Sequence, residues 1–107
     1  AALGINQLNK IDYYNQIRRQ NADKWKAFCI NNNLPYPKVI NESVPVFLRY
    51  PVLMEEKYKK NKLFFLIKHR IYTENWFQSN LHPSDQRIIN CSNADIAVKK
   101  CVNFPTI

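Results

Sequence analysis

The sequence predicts an α/β (α+β) domain. A period-two apolar run, VPVFLRYPVLM, occupies Val44 to Met54. It leads directly into a helical pattern, EEKYKKNKLFFLIKHR, from Glu55 to Arg70. A shorter apolar run, Ile71 to Phe77, follows. A strand feeding a helix and then a second extended segment is the core of such a unit. The expected architecture is a long N-terminal helix plus a small, mostly antiparallel sheet of about three strands, with two helices on one face.

Composition bounds the class. At 107 residues, 46% of them hydrophobic, the chain forms one domain with a modest core and is not disordered. No apolar run approaches the ~20 residues of a membrane span. Residues 1–30 read as a polar amphipathic helix rather than a signal peptide. The opening AALGINQL has no methionine and already lies in a helical pattern. The expectation is a piece of a longer protein, although removal of an initiator methionine gives the same start. Cys29, Cys91 and Cys101 include no CxxC pair, so a zinc finger is not expected. An odd cysteine count without a secretory signal points to reduced thiols in a cytoplasmic protein. The single glycine, Gly4, excludes a Walker loop, a dinucleotide fingerprint and a nucleophile elbow, which all need more than one.

The elements follow in order. Ile5 to Asn33 reads as one long helix, with Ile5, Leu8, Ile11, Tyr14, Ile17, Ala22, Trp25, Phe28 and Cys29 along a stripe. Asn31 to Asn33 and then Pro35 stop it. At about 1.5 Å per residue it spans ~40 Å, more than so small a domain is wide. Its first half is therefore expected to pack against a missing segment or a partner chain. Leu34 to Ser43 is a proline-containing loop. In the strand from Val44 to Met54, Val46, Leu48, Tyr50 and Val52 share one face, and Phe47, Arg49 and Leu53 the other. Pro45 and Pro51 make it an edge strand or one interrupted at Pro51. The helix Glu55 to Arg70 has acids in its first turn and Lys68, His69 and Arg70 in its last, as the helix dipole favours. Leu63 to Ile67 make it apolar on several sides near that end. Ile71 to Phe77 is a short strand or extended segment and Gln78 to Asn90 a polar loop. Cys91 to Lys100 is a short helix capped by Ser92 or Asn93, with Asp95 in its first turn. Cys101 to Ile107 is a terminal strand limited by Pro105.

Candidate chemistry is sparse. The net charge is +8, and Lys57, Lys59, Lys60 and Lys62 form its densest cluster. Such a balance fits either a polyanion partner or a solvated helix surface. His69 is explained by helix capping. His82, in a loop near Trp76, Phe77 and Pro83, fits either a structural loop residue or a contact to a ligand. Asp85 is the carboxylate close to it and no second histidine is nearby, which disfavours a metal site. Ser79, Ser84 and Asp85 lie near His82 in sequence, which does not make a triad.

Three stretches resemble one family in the expected order. AALGINQLNKID (Ala1 to Asp12), followed by Arg18, Arg19, Asn21, Ala22 and Trp25, is similar to the start of the C-terminal part of the DegT/DnrJ/EryC1/StrS sugar aminotransferases. NWFQSNLHP (Asn75 to Pro83) resembles the family's loop with a leucine-histidine pair. CSNADIAVKKCVNFPTI is similar to the family's ending, through Ala94, Asp95, Asn103, Phe104 and Pro105. One departure is local: the family has glycine just before the isoleucine after the middle helix. Here Arg70 precedes Ile71, so that turn must differ or be strained.

The resemblance implies a fold type I aminotransferase using pyridoxal 5′-phosphate, commonly moving an amino group from glutamate to a ketone on a nucleotide-linked sugar. This chain would be its small C-terminal domain: residues 1–33 a helix linking to a large domain, residues 34–107 a small α/β domain that closes over the active site. The Schiff-base lysine and the acid facing the pyridine nitrogen would lie before Ala1. No lysine here takes that role, so the fragment is expected to carry no cofactor and to be inactive alone. The implied partners are the large domain, a second copy in a homodimeric parent and the nucleotide-sugar substrate, with no membrane and with nucleic acid not expected. His82 is the position carried forward as a substrate contact. Two other classes stand beside this one: a basic α/β module binding nucleic acid or another polyanion, and an interaction domain dimerising through its first helix.

Overall fold

In the computed structural model, residues 2–61, 67–74 and 77–107 are described. The order is α1 (Ala2–Leu8), α2 (Ile11–Asn31), β1 (Tyr50–Leu53), α3 (Glu56–Lys60), α4 (Ser92–Lys100) and β2 (Cys101–Phe104). Among the described residues the fold is small and α+β, with a long helix and a two-stranded antiparallel sheet.

The expected N-terminal helix is two helices. At the junction the backbone bond slips from the helical pattern (Asn9 N–H to Ile5 O, 3.0 Å) to one residue shorter (Lys10 N–H to Gln7 O, 3.1 Å). Lys10 then offers α2 no side-chain cap. α1 has no buried residue, whereas α2 buries Ala22 and Cys29 and packs Trp25 and Phe28 against the core. α2 ends where the asparagines stop it. Asn33 takes the left-handed conformation, φ 53°, which Asn tolerates better than most residues. Leu34 N–H then bonds Cys29 O at 2.8 Å and Asn33 N–H bonds Ile30 O at 3.2 Å. These paired bonds form a Schellman motif and satisfy carbonyls the helix end leaves open.

β1 and β2 pair from Tyr50↔Phe104 to Leu53↔Cys101. Tyr50, Val52, Val102 and Phe104 are buried and form the core face with Met54. α2 covers it: the Trp25 ring lies 4.9 Å from that of Phe104, and the Phe28 ring 5.9 Å. The strand expected over Val44 to Met54 is only Tyr50–Leu53, because β2 supplies just four residues before Pro105. Upstream of it, Thr106 Oγ1 donates to the carbonyls of Phe47 and Leu48, both at 2.9 Å, and the chain bends. The facing changes accordingly: Phe47 packs on the core while Val46 and Leu48 are exposed.

Pro51 sits in the ladder without loss. Its partner Asn103 directs both backbone groups to Glu74 on the other side, at 2.9 and 3.0 Å. Pro51 therefore belongs to a non-hydrogen-bonded pair, and its nitrogen faces the free edge. The expected third strand, Ile71 to Phe77, contributes an isolated antiparallel bridge at Glu74, with Asn75 and Trp76 outside the described residues.

The helix expected from Glu55 to Arg70 is interrupted. α3 ends at Lys60, Asn61 has φ −107° and ψ 74°, and residues 67–69 are again helical. Lys62 and the Leu63 to Leu66 run lie outside the described residues. Arg70, where a strained turn is expected, has φ 54°. α4 begins at Ser92 with Cys91 at the cap position, so neither Ser92 nor Asn93 caps it.

Candidate functional site

The polar stretch from Gln78 to Asn90 folds into turns that satisfy themselves through short side chains. Ser84 N–H bonds Leu81 O at 2.9 Å, and Ser79 Oγ accepts from Leu81 N–H at 3.3 Å while donating to Ser84 O. Ser84 Oγ accepts from Gln86 N–H at 3.1 Å. Hydroxyls used this way are turn formers. The His82–Pro83 peptide is cis.

Asn80 ties this loop to α4. Its Nδ2 donates to Ile88 O at 2.8 Å and to Asp95 Oδ1 at 3.0 Å, and its Oδ1 accepts from Ile88 N–H at 2.9 Å. Arg87 closes the arrangement with an ion pair to Asp95, whose side chain is mostly buried. Asp95, in the first turn of α4, is also favoured by the helix dipole.

Held this way, the loop and α4 enclose an open cavity of about 420 Å³. Phe77, Leu81 and His82 form one wall, Ala94, Ala97 and Val98 of α4 the other, and Cys101 lies in its lining. The His82 ring meets Phe77 edge to face, with centroids 5.6 Å apart. The small α4 side chains leave the room that makes the cavity. Lys59 borders it, donating Nζ to the carbonyls of Val98 and, at 3.4 Å, of Phe77.

The niche can hold a ligand, but its groups do not form a reacting set. Ser79 spends its hydroxyl on Ser84 O, and Asp85 is not in the lining. Burial pushes the Cys101 thiol up, against the opposing charge of Lys59, so it is held as a neutral thiol rather than a nucleophilic thiolate. Among the described residues no group of three or more His, Cys, Asp or Glu side chains is placed to hold a metal ion. No lysine among the described residues lines the niche. A Schiff base needs an uncharged lysine amine. Lys59 commits its ammonium to two carbonyls, and Lys57 and Lys60 are paired at 2.7 Å with Glu55 and Glu56 on the surface.

His69, half-buried, packs edge to face on Phe28 with centroids 5.8 Å apart, so it belongs to the margin of the core. The structure brings His82 together with Phe77. Asp85 is not in the cavity lining, and Trp76 lies outside the described residues. Asn80 and Arg87, which hold the loop, carry no local sequence signal. They act on partners eight or more residues away. No helix among the described residues is long and apolar enough to cross a membrane. Compared with known protein families, curated proteins and solved structures, the chain has no match.

Proposed function

We propose that this chain is the small C-terminal domain of a pyridoxal-phosphate-dependent aminotransferase acting on a nucleotide-linked keto sugar. In this reading it shapes the substrate pocket and performs no chemistry itself. The observation that carries it is the loop of the LHP stretch. It is pinned to α4 by Asn80 and presents His82 at the mouth of a cavity without a reacting set. Such a site contacts a substrate whose transformation is done elsewhere. The cofactor, the Schiff-base lysine and the acid opposite the pyridine nitrogen then belong to the large domain. When bound there, the cofactor supplies the electron sink for amino transfer. His82 offers ring nitrogens for a polar group of the substrate. Phe77 and the α4 alanines exclude water beside it.

Further support comes from α1 and the start of α2. Leu3, Leu8 and Ile11 are exposed, and Arg18 of α2 keeps its Nε buried without a hydrogen-bond partner among the described residues. An orphaned buried donor costs about 1–3 kcal/mol. A covering domain that offers apolar surface to Leu3, Leu8 and Ile11 removes their exposure.

The test is the absorption spectrum of the full-length parent before and after borohydride. The expected result is a coloured band that reduction abolishes, with cofactor fixed to a lysine outside this chain. A colourless parent that takes up no added cofactor overturns the reading. In the active parent, His82→Ala should raise KM for the nucleotide sugar roughly tenfold, about 1.4 kcal/mol of binding, with the coloured band intact.

A further inference from the structure

We propose that the face built by α3 and the last turn of α4 binds single-stranded nucleic acid, a role that shares Phe77 with the niche but does not rest on the aminotransferase reading. α3 contributes Lys57, Lys59 and Lys60, and α4 contributes Lys99 and Lys100. These lysines come from segments far apart in sequence and meet because α3 packs on α4. Glu56 marks the meeting point. Lys60 Nζ lies 2.7 Å from its Oε1, and the charges of Lys99 and Lys100 reach the same carboxylate. Lys57 and Lys60 are paired with Glu55 and Glu56, so the charge left to meet a phosphate backbone is that of Lys59, Lys99 and Lys100, of which Lys59 is also bonded to two carbonyls.

An aromatic platform adjoins this charge. Phe77 is 51% exposed, and its carbonyl accepts from Lys59 Nζ at 3.4 Å, which puts it at the edge of the lysine face. Exposed cations that track a phosphate backbone beside an aromatic ring on which a base stacks are the recurring parts of a single-strand site. A duplex reader is a poorer fit. Entry into a major groove takes a protruding helix or ribbon, and α3 has five residues.

The experiment titrates fluorescein-labelled oligothymidine with the 107-residue chain and follows anisotropy at several salt concentrations. The expected result is binding at low salt whose log affinity falls linearly with log salt, by about 0.7 per phosphate contacted. Lys99→Glu with Lys100→Glu should weaken binding roughly tenfold or more and flatten that slope. Lys24→Glu with Lys26→Glu, on exposed α2 positions, should leave most of it. Phe77→Leu should weaken oligothymidine binding by roughly fivefold or more and leave binding of inorganic polyphosphate unchanged. Should the α4 pair lower the unfolding midpoint, Lys57→Gln with Lys60→Gln tests the same face. Absence of binding at low salt, equal losses from the α2 and α4 pairs, or an inert Phe77→Leu overturns the proposal. So does tighter binding to phosphatidylserine vesicles than to the oligonucleotide, which would make the face a membrane-surface patch.

Discussion

Tyr50 couples the core to alkaline pH. It is 2% exposed, opposite Phe104 in the ladder, with its ring 5.2 Å from that of Phe47. Burial first, then the nearby Cys29, Tyr36 and Asp23, raises its phenol from the ordinary value near 10 to about 12. The fold thus favours the protonated form. Its contribution is complete below about pH 10, where the unfolded phenol begins to ionise, and is lost as pH rises through about 12. Two pH units of difference correspond to roughly 3 kcal/mol, an upper figure for one group. Urea midpoints should hold steady to about pH 9 and fall between about 10 and 12. In Tyr50→Phe that fall should be reduced, and an unchanged fall would place the alkaline sensitivity elsewhere. At the same end of the ladder, Trp25 Nε1–H donates to Pro105 O while its ring lies on Phe104. Trp25→Phe keeps a ring there but strands the carbonyl, so it should lower stability by about 1–3 kcal/mol in denaturant melts. A loss within about 0.5 kcal/mol would show that the hydrogen bond is replaced by water.

Elements were legible where their signals are local. The end of α2 is written in Asn31 to Asn33, and Asn33 takes the left-handed position its side chain tolerates. The helix before β2 was also legible, because its apolar and acidic positions fall within ten residues. β1 was not: period two continues through Val44, Val46 and Leu48, but a strand extends only as far as its partner. Pro105 ends that partner at Phe104. The interruption at Asn61 was likewise invisible, since the apolar run beyond it keeps a helical pattern. In the site, His82 was legible as a loop histidine among aromatics. The bracing of its loop by Asn80 was not, because that depends on tertiary contacts with Ile88 and Asp95. Arg70 supplies the element-scale prediction. It is left-handed at φ 54°, where a Cβ costs on the order of 1–2 kcal/mol. Glycine removes that strain but loses about 0.5–1 kcal/mol of chain entropy. Arg70→Gly should therefore stabilise the chain by about 0.5–1 kcal/mol, whereas Asn33→Gly should change little. A midpoint lowered by Arg70→Gly would mean that the arginine side chain makes a contact worth more than the strain.

Across the whole molecule, the apolar surface is divided unevenly. One face of the sheet, α2 and the loops around them share a continuous core, while α1 stands apart from it with Leu3 75% and Leu8 64% exposed. A Cβ built on Gly4 meets nothing within 4 Å, so the middle of α1 is open on that side as well. A helix of seven residues has little stability of its own in water. A surface that covers the stripe, such as the same stripe of a second copy, would stabilise it. Leu3→Ser with Leu8→Ser separates the two kinds of contribution. Because neither side chain is buried within this chain, the pair should shift the unfolding free energy of the monomer by no more than about 0.5 kcal/mol. The same pair should sharply reduce concentration-dependent association in sedimentation velocity, because removing apolar area weakens association directly. A clear loss of monomer stability would show instead that α1 folds back on its own core. An association unaffected by the pair would move the contact surface to the exposed residues of the 36–48 segment, where Ile40 and Val44 are equally open.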